Sequence, residues 1–397
     1  MEFHDSNESN NNSKIEKEKE KRIERWDDMD IPTELLRGIY AYGFENPSEI
    51  QKQSIPHIIL KQDIIAQAQS GMGKTGSFSI GVLSRINPEF NKPQALILAP
   101  THELVSQIAS VVKSLGNTMN IRVKTLVGGT SIQDDIKDMR ENTPHVVVGT
   151  AGRVYDMICR KHLSTDHINI FVLDEADEML SQGFKSQIYN VFQTLSSEVQ
   201  VALFTATIPE NILELTNKFM RNPVHIRMKA EELSLECIKQ YYVALKNDHM
   251  KFEVLKDLFS LISVSQCIIY CNSVSRVSEL YEAMISEGFS VCYIHSSMTA
   301  SERAREFANF RTGGYRVLIS SNITARGIDI QHVSTVINFD IPKCQFTYLH
   351  RIGRSGRWGR KGMAINFVTR NDIHLMRNIE NYYKITIEEL PANFTSP

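Results

Sequence analysis

The chain has 397 residues, of which 42% are hydrophobic and 23% are charged, and this composition is typical of a globular protein. The length allows roughly two or three domains, each with its own core. No run of about 18 apolar residues occurs, so we expect no membrane span. Because the net charge is −2, any nucleic-acid site must be a local patch or a cleft between domains.

The N-terminal segment cannot build a core. Residues 1–25 are rich in Asn and Ser and then alternate in charge, which predicts a disordered tail. The segment also lacks the apolar stretch of a signal peptide, and the six cysteines form no CxxC pair. We therefore expect a reducing compartment, the cytoplasm, with the nucleus as the alternative.

Short apolar runs then alternate with amphipathic stretches, which predicts an α/β fold with parallel sheets covered on both faces. A polar stretch around residues 228–236 separates two such series, so the halves look like two versions of one plan. We predict domains at residues 26–227 and 238–397, joined by a linker at 228–237. The predicted strands lie at residues 95–98, 146–148, 170–173, 201–204, 267–270, 290–294, 317–320, 333–338 and 363–368, and helical patterns include residues 103–115 and 183–195.

A glycine-rich turn follows the apolar pair Ile64-Ile65 and leads into a helical pattern. Backbone N–H groups at such a turn and at a helix N-terminus can hold phosphate oxygens, and glycines allow close approach. Lys74 can reach the β- and γ-phosphates, and the Thr75 hydroxyl can ligate Mg²⁺. Ala68 stands where the strict pattern has Gly. We predict a Walker A loop that binds nucleotide through Ser70, Gly71, Met72, Gly73, Lys74, Thr75 and Gly76.

Carboxylates stand at the end of the predicted strand 170–173, where ligands bind in open α/β sheets. Asp174 is suited to hold the hydration shell of Mg²⁺, and Glu175 is suited to orient and deprotonate an attacking water. An acidic helix start with Asp174 as N-cap is the alternative explanation. We expect Asp177 to accept hydrogen bonds from the hydroxyls of Thr205 and Thr207.

The run Asp174-Glu175-Ala176-Asp177, downstream of a Walker A loop, resembles the DEAD-box RNA helicases, and the likeness extends from about Trp26 to the C-terminus. This implies two tandem RecA-like domains of the P-loop NTPase type. Residues 44–51 are similar to the family's glutamine motif, which implies that Phe44, Asn46 and Gln51 contact adenine.

Residues 350–357 and 325–329 resemble the family's motifs in the second domain. The likeness implies that Arg354 and Arg357 act as arginine fingers on the γ-phosphate, and that Asp329 lies near the ribose. His350 belongs with Asp177, Thr205 and Thr207 in coupling the domains. The residues that the resemblance assigns to RNA are Pro100, Thr101, Glu103, Gly128, Gly129, Thr150, Arg153 and Arg326.

Several positions depart from the family pattern, and most of them bear on RNA contact or domain coupling. No residue predicted to act on ATP is changed, so we expect retained ATPase chemistry. The departures are His102 for Arg, Ala151 for Pro, Ser321-Asn322 for Thr-Asp, Ala300 for Gln, Thr205 for Ser and Trp26 for Phe.

The resemblance implies RNA-stimulated ATP hydrolysis with ATP and Mg²⁺, coupled to local unwinding of short RNA duplexes or to RNP remodelling. Single-stranded RNA is the expected partner. The subgroup of translation initiation factor 4A is the most similar, which implies translation initiation, a HEAT-repeat scaffold partner and a monomer. The alternatives are an ATP-dependent RNA clamp in mRNA processing or ribosome biogenesis with little unwinding, a DNA translocase or other RecA-like ATPase, and a metal hydrolase.

Overall fold

Two parallel sheets form the frame of the protein in the computed structural model. The structure describes residues 23–69, 71–180, 184–208, 213, 216, 219–228, 238–261, 266–324, 333–356 and 361–391. Residues 1–22 of the predicted tail and residues 229–237 of the predicted linker lie outside that set, so the domain boundaries stay a prediction. We call each sheet, together with its helices, a lobe.

The first sheet has seven strands, all parallel, in the order β3-β4-β2-β5-β6-β1-β7. Its strands are β1 Ile64–Gln67, β2 Ala95–Leu98, β3 Val123–Leu126, β4 Val146–Gly149, β5 Ile170–Asp174, β6 Gln200–Thr205 and β7 Val224–Arg227. The helices of this lobe are α1 Thr33–Ala41, α2 Glu49–Ile59, α3 Lys74–Leu83, α4 His102–Leu115, α5 Ile132–Glu141, α6 Ala151–Cys159, α7 Ala176–Met179 and α8 Lys185–Phe192, with 3-10 turns at Trp26–Asp28 and Asn117–Met119.

The second sheet also has seven parallel strands, in the order β10-β11-β9-β12-β13-β8-β14. Its strands are β8 Ile238–Leu245, β9 Cys267–Tyr270, β10 Val291–Ile294, β11 Val317–Ser320, β12 Thr335–Asn338, β13 Gly362–Thr369 and β14 Glu388–Glu389. Its helices are α9 Met250–Leu261, α10 Val274–Ser286, α11 Ala300–Arg311, α12 Gln345–Ile352 and α13 Ile373–Tyr383, with a 3-10 turn at Asn322–Thr324.

The two sheets share one topology. Adding seven to each strand number of the first order gives the second order, so the lobes are two copies of one α/β plan. Residues of β2, β4, β5, β9, β11 and β12 are buried throughout, as expected when helices cover both faces of a parallel sheet. The predicted fold class, two tandem RecA-like domains, is confirmed.

Three of the cysteines lie in the core of the second lobe. Cys267, Cys271 and Cys292 are buried and free, which fits the expected core cysteines, whereas Cys159 is free and exposed. Within the part of the chain that the structure describes, no helix combines the length and the apolar character that crossing a bilayer requires.

Local sequence explains where the functionally important helices begin. Thr101 caps α4 by accepting a hydrogen bond from the Leu104 N–H at 3.3 Å, and Thr299 caps α11 in a box with Glu302. Ser48 caps α2, and its backbone N–H donates to Gln51 Oε1 at 2.7 Å. These caps fix the helix starts at the carboxyl edges of the sheets, where the candidate site lies.

Candidate functional site

The predicted phosphate loop joins β1 to α3, and its backbone requires glycine at two positions. Gly71 and Gly73 have φ of 87° and 98°, which glycine adopts without steric cost. A Cβ atom at Gly73 would lie 2.8 Å from Ser48 Oγ and 2.9 Å from Gln51 Nε2. The turn therefore stays narrow and leads into the N-terminus of a ten-residue helix, a position where backbone N–H groups can bind phosphate. Ser70 lies outside the described residues.

Gln51 ties the loop to the segment that precedes it. Its Nε2 donates to the carbonyl of Gly73 at 3.3 Å, while Ser48 Oγ donates to the carbonyl of Met72 at 3.0 Å. A Cβ atom at Gly76 would lie 2.5 Å from Gln51 Nε2. Gln51 is thus a buried brace of the phosphate loop, and its predicted contact with adenine stays a prediction.

Trp26 and Phe44 form an aromatic pair close to Gln51. Trp26 is fully buried, stacks on Phe44 with ring centroids 6.3 Å apart, and donates from Nε1 to the Phe44 carbonyl at 3.1 Å. Phe44 is half-buried and Asn46 is exposed. Trp26 therefore orients the ring of Phe44, which is a flat apolar face suited to a nucleobase.

The acidic residues are buried at the carboxyl end of β5. Asp174 and Glu175 are 3% and 2% exposed. The Lys74 ammonium lies 4.0 Å from Glu175 Oε1 and donates to the Ala68 carbonyl at 2.9 Å. Burial raises the pKa of Asp174 well above its usual range, and the Glu175 charge raises it further. The structure thus brings together the loop lysine and both carboxylates.

This arrangement fits a divalent cation. Among the described residues, Glu175 Oε2 is buried without a hydrogen-bond partner, and two carboxylates here face the single ammonium of Lys74. A hard cation with oxygen ligands would compensate the excess negative charge. Thr75, which follows Lys74 at the start of α3, brings a hydroxyl to the same edge of the sheet.

A hydrogen-bond chain crosses between the lobes beside the acidic residues. Asp177 Oδ2 accepts from Thr207 Oγ1 at 2.7 Å and lies 3.1 Å from His350 Nε2 of the second lobe. The expected hydrogen bond from Thr207 to Asp177 is thus observed, whereas the Thr205 hydroxyl, also expected to donate to Asp177, donates instead to the Thr207 carbonyl at 2.7 Å. Arg354 is 1% exposed and donates from Nε to the His350 carbonyl at 3.2 Å, which links it to this contact.

A second contact crosses between the lobes from the start of α4. Arg303 of α11 donates from Nε to Glu103 Oε1 at 2.8 Å, and its Nη1 donates to the Met298 carbonyl at 2.8 Å. The Arg303 and Glu103 side chains are only 10% and 13% exposed, so this ion pair is largely shielded from solvent. Glu103, predicted to face RNA, has an arginine of the other lobe as its observed partner.

Several predicted RNA residues line one cavity of about 410 Å³ on the first lobe. His102 also lines it, and Thr101 caps the adjoining helix. The predicted RNA residues in the wall are Pro100, Gly128, Thr150 and Arg153. Gly129, next to the wall, has φ of 77°.

The guanidinium of Arg153 is already bound within the first lobe. Its Nη1 donates to Asp135 Oδ2 at 2.5 Å and to Thr130 Oγ1 at 3.0 Å, and Lys124 Nζ lies 3.1 Å from Asp135 Oδ1. Arg153 is 8% exposed. Its contact with RNA stays a prediction. The three remaining predicted residues, Arg326, Asp329 and Arg357, lie outside the described residues.

Arg351 holds the carboxyl edge of the second sheet. This fully buried guanidinium donates to the side-chain oxygens of Asn272, Asn322 and Asn338, at 2.7, 2.6 and 3.1 Å. It also lies 5.2 Å from the ring centroid of Tyr270. Burial lowers the pKa of Arg351 to about 10, so the side chain stays charged near neutral pH. It joins the ends of β9, β11 and β12 to the helix that carries His350.

The Asn322→Asp substitution is expected to stabilise the protein. Asn322 Oδ1 accepts from both Nε and Nη2 of Arg351, so a carboxylate there would form charge-assisted bonds to a buried cation. Because residue 322 is exposed, we expect a gain of about 1 kcal/mol in the free energy of unfolding, measured by urea denaturation.

The pH dependence provides the control for that substitution. The new carboxylate would have a lowered pKa in the folded state, so its contribution is present above about pH 4 and disappears as the pH falls further. Asn309→Asp on the exposed side of α11 adds the same charge and is expected to change stability little. An equal gain in both variants would contradict the assignment of Asn322 to Arg351.

Sequence reasoning missed the residues whose partners are distant along the chain. Arg303 and Arg351 were not singled out, nor were Asp135 and Lys124. The pairs Glu103–Arg303 and Asn322–Arg351 join residues of different motifs, so no local spacing indicates them. The start of α11 carries a Thr-x-x-Glu capping signature, which could have placed Arg303 on a helix but not against Glu103.

Comparisons with known proteins show the family to which this two-lobed architecture belongs. Residues 48–215 match the model of the DEAD/DEAH box helicase family, and residues 250–359 match that of the helicase conserved C-terminal domain. The chain is 50% identical over 381 residues to ATP-dependent RNA helicase eIF4A of Schizosaccharomyces pombe, covering 96% of this chain and 97% of the relative.

Two solved structures of the yeast protein Dbp5 add a structural comparison. S. cerevisiae Dbp5 bound to RNA and ADP BeF3 aligns with a TM-score of 0.86 at 38% identity, covering 92% of this chain and 95% of that chain. A single-substitution variant of Dbp5, bound to Nup159, a variant of Gle1, IP6 and ADP, aligns with a TM-score of 0.65 at 36% identity, covering 92% and 96%.

The fold and the family matches define a two-lobed ATP-dependent helicase. The chain belongs to the DEAD-box family of ATP-dependent RNA helicases, which hydrolyse ATP, and the expected family and enzyme class are confirmed. Within that family its sequence is similar to eIF4A, as the relative from S. pombe shows.

Proposed function

We propose that this protein hydrolyses ATP with Mg²⁺ in response to bound RNA, and that closure of its lobes separates short RNA duplexes during translation initiation. The observation that carries the proposal is the pair of contacts between the lobes. Asp177–His350 lies next to the acidic residues, and Glu103–Arg303 lies next to the cavity of the first lobe. The same arrangement of the lobes therefore makes one contact beside each ligand site.

Five of the predicted residues that the structure describes are given roles in ATP turnover. Lys74 would bind the terminal phosphates, and Glu175 would orient the attacking water and accept its proton. Asp174 and Thr75 would hold Mg²⁺, which neutralises phosphate charge when bound. Arg354 would stabilise negative charge on the transferred phosphoryl group.

The arrangement of the lobes supports a closed state. For one relative, Dbp5, the structure bound to RNA and ADP BeF3 gives a TM-score of 0.86, against 0.65 for the structure with Nup159, Gle1, IP6 and ADP. The higher score favours the arrangement in which both ligands are held. Since closure joins both sites, each ligand would promote binding of the other.

RNA contact would come mainly from the sugar–phosphate backbone. The cavity wall offers backbone groups, a threonine hydroxyl and small residues, and these suit binding without base readout. Strand separation would follow if the closed cleft admits a single strand and not a continuous duplex. That mechanism acts locally and needs no movement along the strand.

The discriminating experiment compares RNA with DNA of the same sequence. We expect RNA to tighten ATP binding by roughly 5–150-fold, the usual range of coupling, and DNA to have little effect because it lacks the 2′-OH. Arg303→Gln should reduce the coupling while each ligand still binds alone. If RNA and DNA tightened ATP binding equally, the result would instead indicate a DNA translocase or a general RecA-like ATPase.

The process and the protein partner need a separate test. The similarity to eIF4A over nearly the whole chain supports translation initiation and a HEAT-repeat scaffold of the initiation type as partner. Proteins that co-purify with the full chain should include such a scaffold. Recovery of splicing or ribosome-assembly factors in its place would favour the alternative of an RNA clamp.

A further inference from the structure

The cavity of the first lobe has almost no unbalanced charge near neutral pH. Three of its lining residues, His102, Arg153 and Asp156, can be charged. Arg153 is bound by Asp135, and Asp156 accepts from Arg160 Nε at 2.7 Å. His102 is therefore the lining residue whose ionisation would change the charge of the cavity.

His102 is placed to contact a ligand in that cavity. It is the first residue of α4, and its Nε2 lies 3.7 Å from where a Cβ at Gly128 would stand, so this nitrogen lies beside the small residue of the opposite wall. Its Nδ1 is buried and, among the described residues, has no hydrogen-bond partner. A ligand in the cavity would therefore contact Nε2, which donates a charge-assisted hydrogen bond when the ring is protonated.

We propose that His102 is a proton-dependent phosphate contact, which binds the RNA backbone strongly in its imidazolium form and weakly in its neutral form. The inference rests on the proposed function, because it assigns the cavity to RNA. It makes RNA affinity, and through lobe closure the coupling to ATP, sensitive to pH between about 6 and 8. An RNA phosphate would supply the negative charge that the cavity wall lacks.

The groups that face His102 set the direction of the effect. Burial lowers the pKa of His102, Arg303 of α11 and Arg153 of α6 lower it further, and Glu103 of its own helix opposes them. The imidazole is thus mostly neutral near pH 7 in the free protein. A phosphate in contact would raise the pKa, so RNA binding takes up a proton and strengthens as the pH falls.

The test measures binding of a fluorescent single-stranded RNA in the presence of a non-hydrolysable ATP analogue, so that pH effects on hydrolysis do not enter. From about pH 8 to about pH 6 we expect wild-type affinity to rise about tenfold, the effect of one charge-assisted hydrogen bond. The salt dependence should steepen by about 0.7 at the lower pH.

Three variants separate His102 from other titrating groups. His102→Arg should bind tightly at both pH values, His102→Gln should bind weakly at both, and His374→Gln, an exposed histidine on α13, should keep the wild-type slope. Calorimetry in buffers of different ionisation enthalpy should show proton uptake on RNA binding by the wild type near pH 7 and none by His102→Arg.

The outcomes distinguish this inference from the proposed function. The role of His102 alone would be overturned if the RNA affinity of His102→Gln still changed with pH. It would also be overturned if the wild type bound RNA with an affinity that did not change with pH. Failure to bind RNA at every pH with the ATP analogue present would overturn the proposed function itself.

Discussion

Replacing Glu175 by Gln is expected to lower ATP turnover by about 10²- to 10⁴-fold while ATP binding persists. The carboxylate is 2% exposed and, among the described residues, its Oε2 has no hydrogen-bond partner, so it is available to a water. Gln keeps the shape but cannot accept a proton. Because one negative charge beside Asp174 is also removed, affinity for the triphosphate should not fall.

Single-turnover phosphate release and binding of a fluorescent ATP analogue measure the two effects separately. Glu141→Gln provides a matched control, since that side chain is 61% exposed at the end of α5. Its turnover should equal that of the wild type. Normal phosphate release in Glu175→Gln would remove Glu175 from the reaction and leave it a structural partner of Lys74.

The sequence was most informative where burial made the strands uniformly apolar. The predicted strands 95–98, 267–270 and 317–320 have the observed bounds, because each is buried on both faces. β3 and β8 were not singled out. β3 is an edge strand of intermediate burial that contains Lys124 and Thr125, and β8 contains Lys239 and Gln240 and is fully buried only at its two end residues, so neither is uniformly apolar.

In the candidate site too, only the residues whose positions follow from local sequence patterns could be predicted. Lys74, Asp174 and Glu175 could be grouped in advance because both of their segments end strands of one parallel sheet, and ligands bind at that edge. The family resemblance grouped His350 with Asp177 as residues that couple the domains, and the structure adds the contact between them. The bond between Arg303 and Glu103 depends on how two lobes meet, and the bonds of Arg351 depend on three strand ends, which no local pattern encodes.

Replacing Arg354 by Ala is expected to lower the rate of hydrolysis by about 10³-fold, within the range for arginine fingers, with little change in ATP binding. Arg354 belongs to the second lobe, and its Nε is bound to the carbonyl of His350, whose ring reaches Asp177. Because that contact joins the two lobes, we expect the guanidinium to reach a bound nucleotide only when the lobes meet. Arg354→Lys should recover little, because an ammonium lacks the planar fork of donors.

Since Arg354 is 1% exposed, its loss could also disturb folding, and the measurement must separate the two effects. Urea unfolding reports stability, and single-turnover hydrolysis at saturating ATP and RNA reports the chemical step. Arg311→Ala, at the exposed end of α11, removes a cation elsewhere on the same lobe and should leave both unchanged. If Arg354 acts in catalysis, a stably folded Arg354→Lys variant with ATP and RNA both bound must hydrolyse ATP slowly. Wild-type hydrolysis in that variant would mean that Arg354 only supports the helix carrying His350, and that closure does not complete the ATP site through this residue.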